Sequence, residues 1–498
     1  MPRSSIHSLY FQDDWKVSPS LTLNRGLRYS TESPFATKWR QLRNFDPIGK
    51  DGLTGGPGAV IHPGTGLNRR DTNNFQPRVG IASHPLKRVV FGGGFGLNTV
   101  NVKFPLNREQ LEEYVTLDNQ QRPPADPRPL YQISRGPNPV TYQIQPNGTS
   151  SFLGTNYSPR SMGLWDPNLR NPCVLHWNLG TQYEINPVYS LELVHEGSVG
   201  VGLIERWQIN SFPVDYAKAD PTLQAAVLRT PQNYRPFPNF GDILLRSNSG
   251  HSTYHLGTVK LEKRYSAGVN LSTFYTFSTA IDSQDNDNDG TGVAPIQSRS
   301  LEKALAGCDR RHRFVAAATY ELPVGKGKWF LNRGGVWNHI FGGFEIAWVQ
   351  TFESGNPLTF SFANSPFNYY PTFAGSRHPN VVGTPRLRDD WRDFGGERFN
   401  VQNINPVIDI NYFAYPDAFT VGNAGRSIVT GPPLRGSTAG AKENFQVSER
   451  VKLQVRWDYQ NPLKMYNLNN PTTTVEFLNP RTFGKITSDR RRRLAVSP

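Results

Sequence analysis

The chain has 498 residues, too many for one ordinary hydrophobic core, so it forms either several domains or one large closed architecture. Aromatic residues make up 12% of it while all hydrophobics reach only 37%, a balance poor in aliphatics for a soluble core and suited to a barrel with a polar interior and aromatic girdles. The net charge of +14 is scattered singly apart from Arg490 to Arg493, which argues against nucleic acid as a partner, and no apolar run approaches the roughly 18 residues of a membrane helix.

The first residues, Met1-Pro2-Arg3-Ser4-Ser5-Ile6-His7, lack the apolar stretch of a secretory signal. The first strand pattern places Leu21, Leu23, Leu27 and Tyr29 on one face and Thr22, Asn24, Gly26 and Arg28 on the other. Gly92-Gly-Gly-Phe-Gly96 has neither G-x-G-x-x-G spacing nor a helix after it, so it reads as a strand whose glycines allow a bend or clear space in a lumen. Trp177, Leu179, Tyr183 and Ile185 alternate with Asn178, Gly180, Gln182 and Glu184, and Asn186-Pro187 makes a short turn. Asp220-Pro-Thr-Leu-Gln-Ala-Ala-Val-Leu228 opens like a short helix inside a loop.

Further along, Val259, Leu261 and Tyr265 alternate with Lys260, Glu262 and Arg264, and Tyr265-Ser-Ala-Gly268 reads as a tight hairpin turn. Strands follow near Val269–Phe277 and Phe314–Leu322. The clearest pattern is Val451-Lys-Leu-Gln-Val-Arg-Trp-Asp-Tyr459, whose nine alternating residues approach the 9–11 of a tilted membrane strand. Long connections are expected near residues 35–73, 98–172, 208–251, 278–310 and 362–443. Short turns alternating with long loops give an all-β, transmembrane antiparallel β-barrel with short periplasmic turns and long extracellular loops. Roughly 14 to 16 strands are expected, within the boundary error of such readings.

Asp285-Asn-Asp-Asn-Asp-Gly290 matches the first half of a calcium loop, but Ile296 stands where the bidentate Glu belongs, so the EF-hand reading fails. Asp285, Asp287 and Asp289 are left as ligands of a looser Ca2+ site, against a solvated acidic loop as the simpler reading. No other cofactor is expected. His195 and His251 stand alone, His312 lies between two arginines, and H-E-x-x-H, C-x-x-C and G-x-S-x-G are all missing, so no catalytic residue is assigned and the chain is not read as an enzyme. Cys173 and Cys308 are too few for a disulfide framework.

Several phrases in order along the chain resemble the barrel of TonB-dependent receptors, particularly the Oar-like subgroup. They include Ser8-Leu-Tyr-Phe-Gln-Asp-Asp-Trp-Lys-Val-Ser-Pro-Ser-Leu-Thr-Leu-Asn24, Phe75-Gln-Pro-Arg-Val-Gly80 and Glu196-Gly-Ser198. Others are Val259-Lys-Leu-Glu-Lys-Arg264, Arg311-His-Arg-Phe314, Tyr320-Glu-Leu-Pro323, Gly325-Lys-Gly327 and Phe483-Gly-Lys-Ile-Thr487. The resemblance implies residence in the bacterial outer membrane among lipid and lipopolysaccharide. It also implies coupling to the TonB complex and uptake of a large nutrient, a carbohydrate or a metal chelate. Residues 1–487 are assigned to the barrel region and 488–498 to a basic tail outside any strand. The family's signal peptide and plug would precede residue 8, so the chain is read as part of such a receptor. A surface-binding barrel without transport, and a soluble β-sandwich or propeller acting on glycans, stand as the alternatives.

Overall fold

The computed structural model describes residues 4–34, 42–51, 55–63, 66–101, 142–144, 149–152, 160–211, 220–285, 296–325, 327–330, 332, 342–362, 378–389, 406–417, 420–448, 451–465, 467–477 and 482–488. Its main feature is a fourteen-stranded sheet in which twelve strands run as a continuous meander. These are β1 (Ile6–Ser18), β2 (Leu21–Glu32), β3 (Asp71–Leu86), β4 (Val89–Thr99), β5 (Cys173–Glu184) and β6 (Tyr189–Gln208). They continue as β7 (Phe240–Ser266), β8 (Val269–Asp282), β9 (His312–Glu321), β10 (Glu345–Glu353), β11 (Leu434–Ser448) and β12 (Val451–Gln460). Each pairs antiparallel with the next. Among the described residues no pairing joins β1 to β12. No described helix is long and apolar enough to cross a membrane.

Residues opposite one another in an antiparallel ladder share a face, so the register can be followed across the whole sheet. One such row runs Phe91, Thr181, Leu193, Val259, Tyr275, Phe314 and Phe352. A row on the other face runs Asp14, Asn24, Gly80, Gly94, Asn178, Glu196, Leu256 and Ser278. The apolar rows are not covered by protein: Leu193 is 44% exposed, Val259 47% and Trp457 54%. Soluble proteins rarely leave apolar area on that scale in water, whereas lipid is its natural solvent.

The buried hydrophobic residues lie elsewhere. Among the described residues they belong to the long connections, to residues after β12, or to the ends of β6 and β7 that extend toward those connections, where Trp207, Phe240 and Ile243 sit. One cluster joins Leu358, Phe360, Val407, Ile408, Phe413, Val429, Val475, Phe483 and Ile486. A second joins Phe45, Met162, Leu164, Phe240 and Ile243, and a third Leu42, Leu67, Trp165 and Leu169. Phe483 and Ile486 thus pack in the loop layer, beyond the last strand of the meander, which ends at Gln460.

The two ends of the meander differ as expected. At one end the connections are Pro19-Ser20, Lys87-Arg88, residues 185–188 and residues 267–268, and β11 and β12 are separated there by only two residues of sequence. The exception there is residues 322–344, where Gly325 and Gly327 adopt φ of 121° and 82° and Val324 bridges to Phe330. At the other end successive strands are separated by much longer stretches of sequence, 33–70, 100–172, 209–239, 283–311 and 354–433, only part of each being among the described residues. These are not bare loops: Arg160–Trp165 pairs parallel with the start of β7, and Asn44–Lys50 pairs with Pro57–Ile61. The hairpin between β7 and β8 turns on Ala267 and Gly268, with φ of 54° and 78°, the two left-handed residues that match strand twist. The expected helix, α1, spans Pro221–Arg229, and Asp220 caps it by accepting the main-chain N–H groups of Thr222 and Leu223 at 2.9 and 3.1 Å.

The opposed faces give a direct test on one strand. Leu193→Arg places a charge on the apolar face and should cost roughly 1–4 kcal/mol, depending on depth. Val194→Arg, the next residue but on the polar face, should cost much less. Urea titration of the chain folded into lipid vesicles measures both; equal costs would contradict the assignment of faces.

Candidate functional site

Among the described residues a recess of about 470 Å³ opens on the polar face between β3 and β7. Its shape follows from glycine. Gly94 and Gly96 alternate on the polar face of β4, and with no side chains of their own they leave a backbone floor that the Asn178 amide and the Arg78 side chain partly cover. A Cβ at Gly94 would stand 3.1 Å from the Asn178 Oδ1 atom, and one at Gly96 3.6 Å from the Arg78 Cγ atom. On the opposite face Trp177 lies across Gly197, where a Cβ would meet the indole at 2.3 Å. The indole N–H also reaches His195 Nε2 at 3.4 Å.

Around this floor stand Arg78, His176, Asn178, Glu196, Ser198 and Tyr254. The register explains why they meet. Arg78, Gly96, His176, Ser198 and Tyr254 form one cross-strand row, and Gly94, Asn178 and Glu196 form the row beside it. Arg78 donates to Asn98 Oδ1 at 2.7 Å. The side chains of His176, Asn178, Glu196, Ser198 and Tyr254 make no hydrogen bond or ion pair with other described residues, so their donors and acceptors all remain available.

A second polar cluster ties the loop layer together. Arg426, buried, donates from Nε to the Glu302 carbonyl at 3.0 Å and pairs with the Asp285 carboxylate at 2.6 Å. It also bonds Asp282 at the end of β8. The Glu302 carboxylate in turn meets His378 Nε2 at 2.9 Å. Burial works against the charge of Arg426, but hydrogen bonds and ion pairs with Asp285 and Asp282 outweigh it and hold its pKa above the ordinary value. The connection after β8 is thereby clamped to the connection between β10 and β11.

Of the three aspartates assigned from sequence to a cation site, Asp285 is placed at this clamp. Its Oδ1 accepts the Gly307 N–H at 2.6 Å and its Oδ2 faces Arg426. Asp287 and Asp289 lie outside the described residues. Among the described residues no three His, Cys, Asp or Glu side chains come together as a metal site. The glycines of the recess were legible as lumen clearance. Its polar rim was missed: alternation puts each rim residue on a polar face, but nothing in the sequence aligns five strands into two rows. Cys173 and Cys308 are both free.

Comparison with known proteins agrees with this geometry. The description "outer membrane beta barrel domain" matches residues 1–494, so the chain belongs to that family and is an outer-membrane β-barrel protein. Among solved structures it is similar to the siderophore receptor PirA from Acinetobacter baumannii, with 11% identity and a TM-score of 0.40 over 97% of this chain and 44% of that one. It is similar also to the ferric enterobactin receptor PfeA from Pseudomonas aeruginosa, with 10% identity and a TM-score of 0.42 over 97% of this chain and 43% of that one. The copper transporter OprC gives 10% identity and a TM-score of 0.39 over 91% and 42% of the two chains. The chain therefore spans less than half the length of these receptors. No curated protein matches it.

The clamp predicts a local phenotype. Arg426→Met removes the cation that faces Asp282 and Asp285 and should loosen the loop layer by about 3–5 kcal/mol, the usual cost of breaking a buried pair from one side. Hydrogen exchange should then rise at residues 296–310 and 420–433 while β5 to β7 keep their protection. Unchanged exchange in both loops would show that the clamp carries no stability.

Proposed function

We propose that this outer-membrane barrel serves uptake of a large polar nutrient, in the manner of a TonB-dependent receptor. The observation that carries the reading is the division of the meander: apolar rows on one face, polar rows on the other, and, among the described residues, a packed layer of long connections at one end. A face rich in Asn, Ser, Thr and charged groups suits a water-filled passage, and loops with their own hydrophobic clusters suit a preformed outer mouth. The Oar-like phrases, in order from Ser8 to Thr487, support coupling to the TonB complex and residence beside lipopolysaccharide.

The reading names no reaction. The recess on the polar wall offers hydrogen-bonding groups, but it pairs no nucleophile with a base, since His176 has no hydrogen-bonded partner there.

The test is reconstitution. The full chain folded into lipid vesicles should resist extraction by carbonate and should admit small neutral solutes, read as vesicle swelling in an isotonic sugar solution. Extraction by carbonate would overturn the membrane reading. Stable insertion without swelling would favour a surface-binding barrel over a passage.

A further inference from the structure

We infer that the recess on the polar wall binds a neutral, polyhydroxylated ligand of mono- or disaccharide size. The inference rests on the uptake reading above and names the chemistry of the unit of a larger nutrient that the recess would hold. The first ground is shape: about 470 Å³ lies within the range of small-molecule sites.

The second ground is charge. Arg78 and Glu196 line the recess together, so the charged rim carries one cation and one anion and sums to zero. An anionic chelate would meet the Glu196 carboxylate, and a cation the Arg78 guanidinium, each with like-charge repulsion. A neutral ligand meets neither penalty.

The third ground is the kind of hydrogen bonding left available. Glu196 only accepts, Arg78 only donates, and Asn178, Ser198, Tyr254 and His176 each do both. A ligand that satisfies such a mixture must itself donate and accept at many points, which is the chemistry of vicinal hydroxyl groups. Tyr254 adds an apolar ring face beside the polar groups, able to cover the C–H face of a sugar ring. The two rows alternate these groups across β3 to β7 at the interstrand spacing of about 4.8 Å, close to the span of a pyranose ring's opposed hydroxyls.

The experiment uses the full chain folded in detergent micelles, with maltose and cellobiose as probes and inorganic phosphate as the anionic control. Saturation-transfer NMR should show saturation reaching at least one disaccharide, and phosphate should not displace it. Asn178→Ala and Tyr254→Ala, which leave the glycine floor intact, should each weaken binding about 10-fold, the effect of losing one or two such contacts. Heat-modifiable migration on gels confirms that each variant is assembled. Assembled wild-type protein that transfers saturation to neither disaccharide overturns the inference, as does unchanged affinity in both variants. Phosphate binding in place of the sugars overturns the neutral class. If vesicle swelling persists while sugar binding fails, only this inference falls; if swelling fails as well, the uptake reading falls with it.

Discussion

Inside a hydrocarbon layer each main-chain N–H and C=O must find its partner within the protein, because no water is available to replace it. Everything else in this fold depends on that constraint. It turns the chain into a ladder of neighbours that runs from β1 at Ile6 to β12 at Gln460, with every strand between those two bonded to the one before and the one after. Once the ladder is fixed, side chains have no freedom in facing: Leu193 must look one way and Val194 the other. The apolar rows, the polar rows and the recess at Gly94 and Gly96 are consequences of one hydrogen-bond register.

The same constraint explains where the core went. A single sheet exposed to lipid on one face and water on the other cannot bury side chains against itself, so the strands hold almost none of the buried hydrophobic residues. Those residues collect in the long connections, around Phe360 and Phe413 in one cluster and Phe45 and Ile243 in another. In water the hydrophobic effect operates in its ordinary form, and there the loops behave as small globular units. The buried ionic cluster of Arg426, Asp282, Asp285 and Glu302 belongs to this layer, where it joins two connections that are distant in sequence.

Glycine has different roles on the two faces. On the polar face Gly94 and Gly96 open a recess. On the apolar face Gly197 receives the indole of Trp177, which lies flat on the sheet instead of standing out from it. At Gly268, with Ala267 before it, the backbone takes the left-handed turn that reverses the chain between β7 and β8. The first two uses are set by neighbours across the ladder and only the third by local sequence.

Local pattern made the alternation at Val259–Tyr265, the turn at Tyr265–Gly268 and the cap at Asp220 readable, because each depends on residues within one strand or one turn. The long connections were legible as gaps in alternation, but their hydrophobic clusters were not, since Phe360 and Phe483 meet only through tertiary packing. Gly325 and Gly327 lie in a longer connection, because the meander's pairing resumes only at Glu345. By itself the sequence determined the two-faced strands and the unequal ends, which follow from the period of two and from the spacing of turns, while the membrane setting was read from strand length and the aromatic strand ends. The tertiary structure alone decided that Arg78, His176, Asn178, Glu196, Ser198 and Tyr254 share one recess, and that Arg426 reaches Asp285. Cross-strand register and loop packing are collective outcomes of the whole ladder, and no single strand encodes which residue of its neighbour it will face.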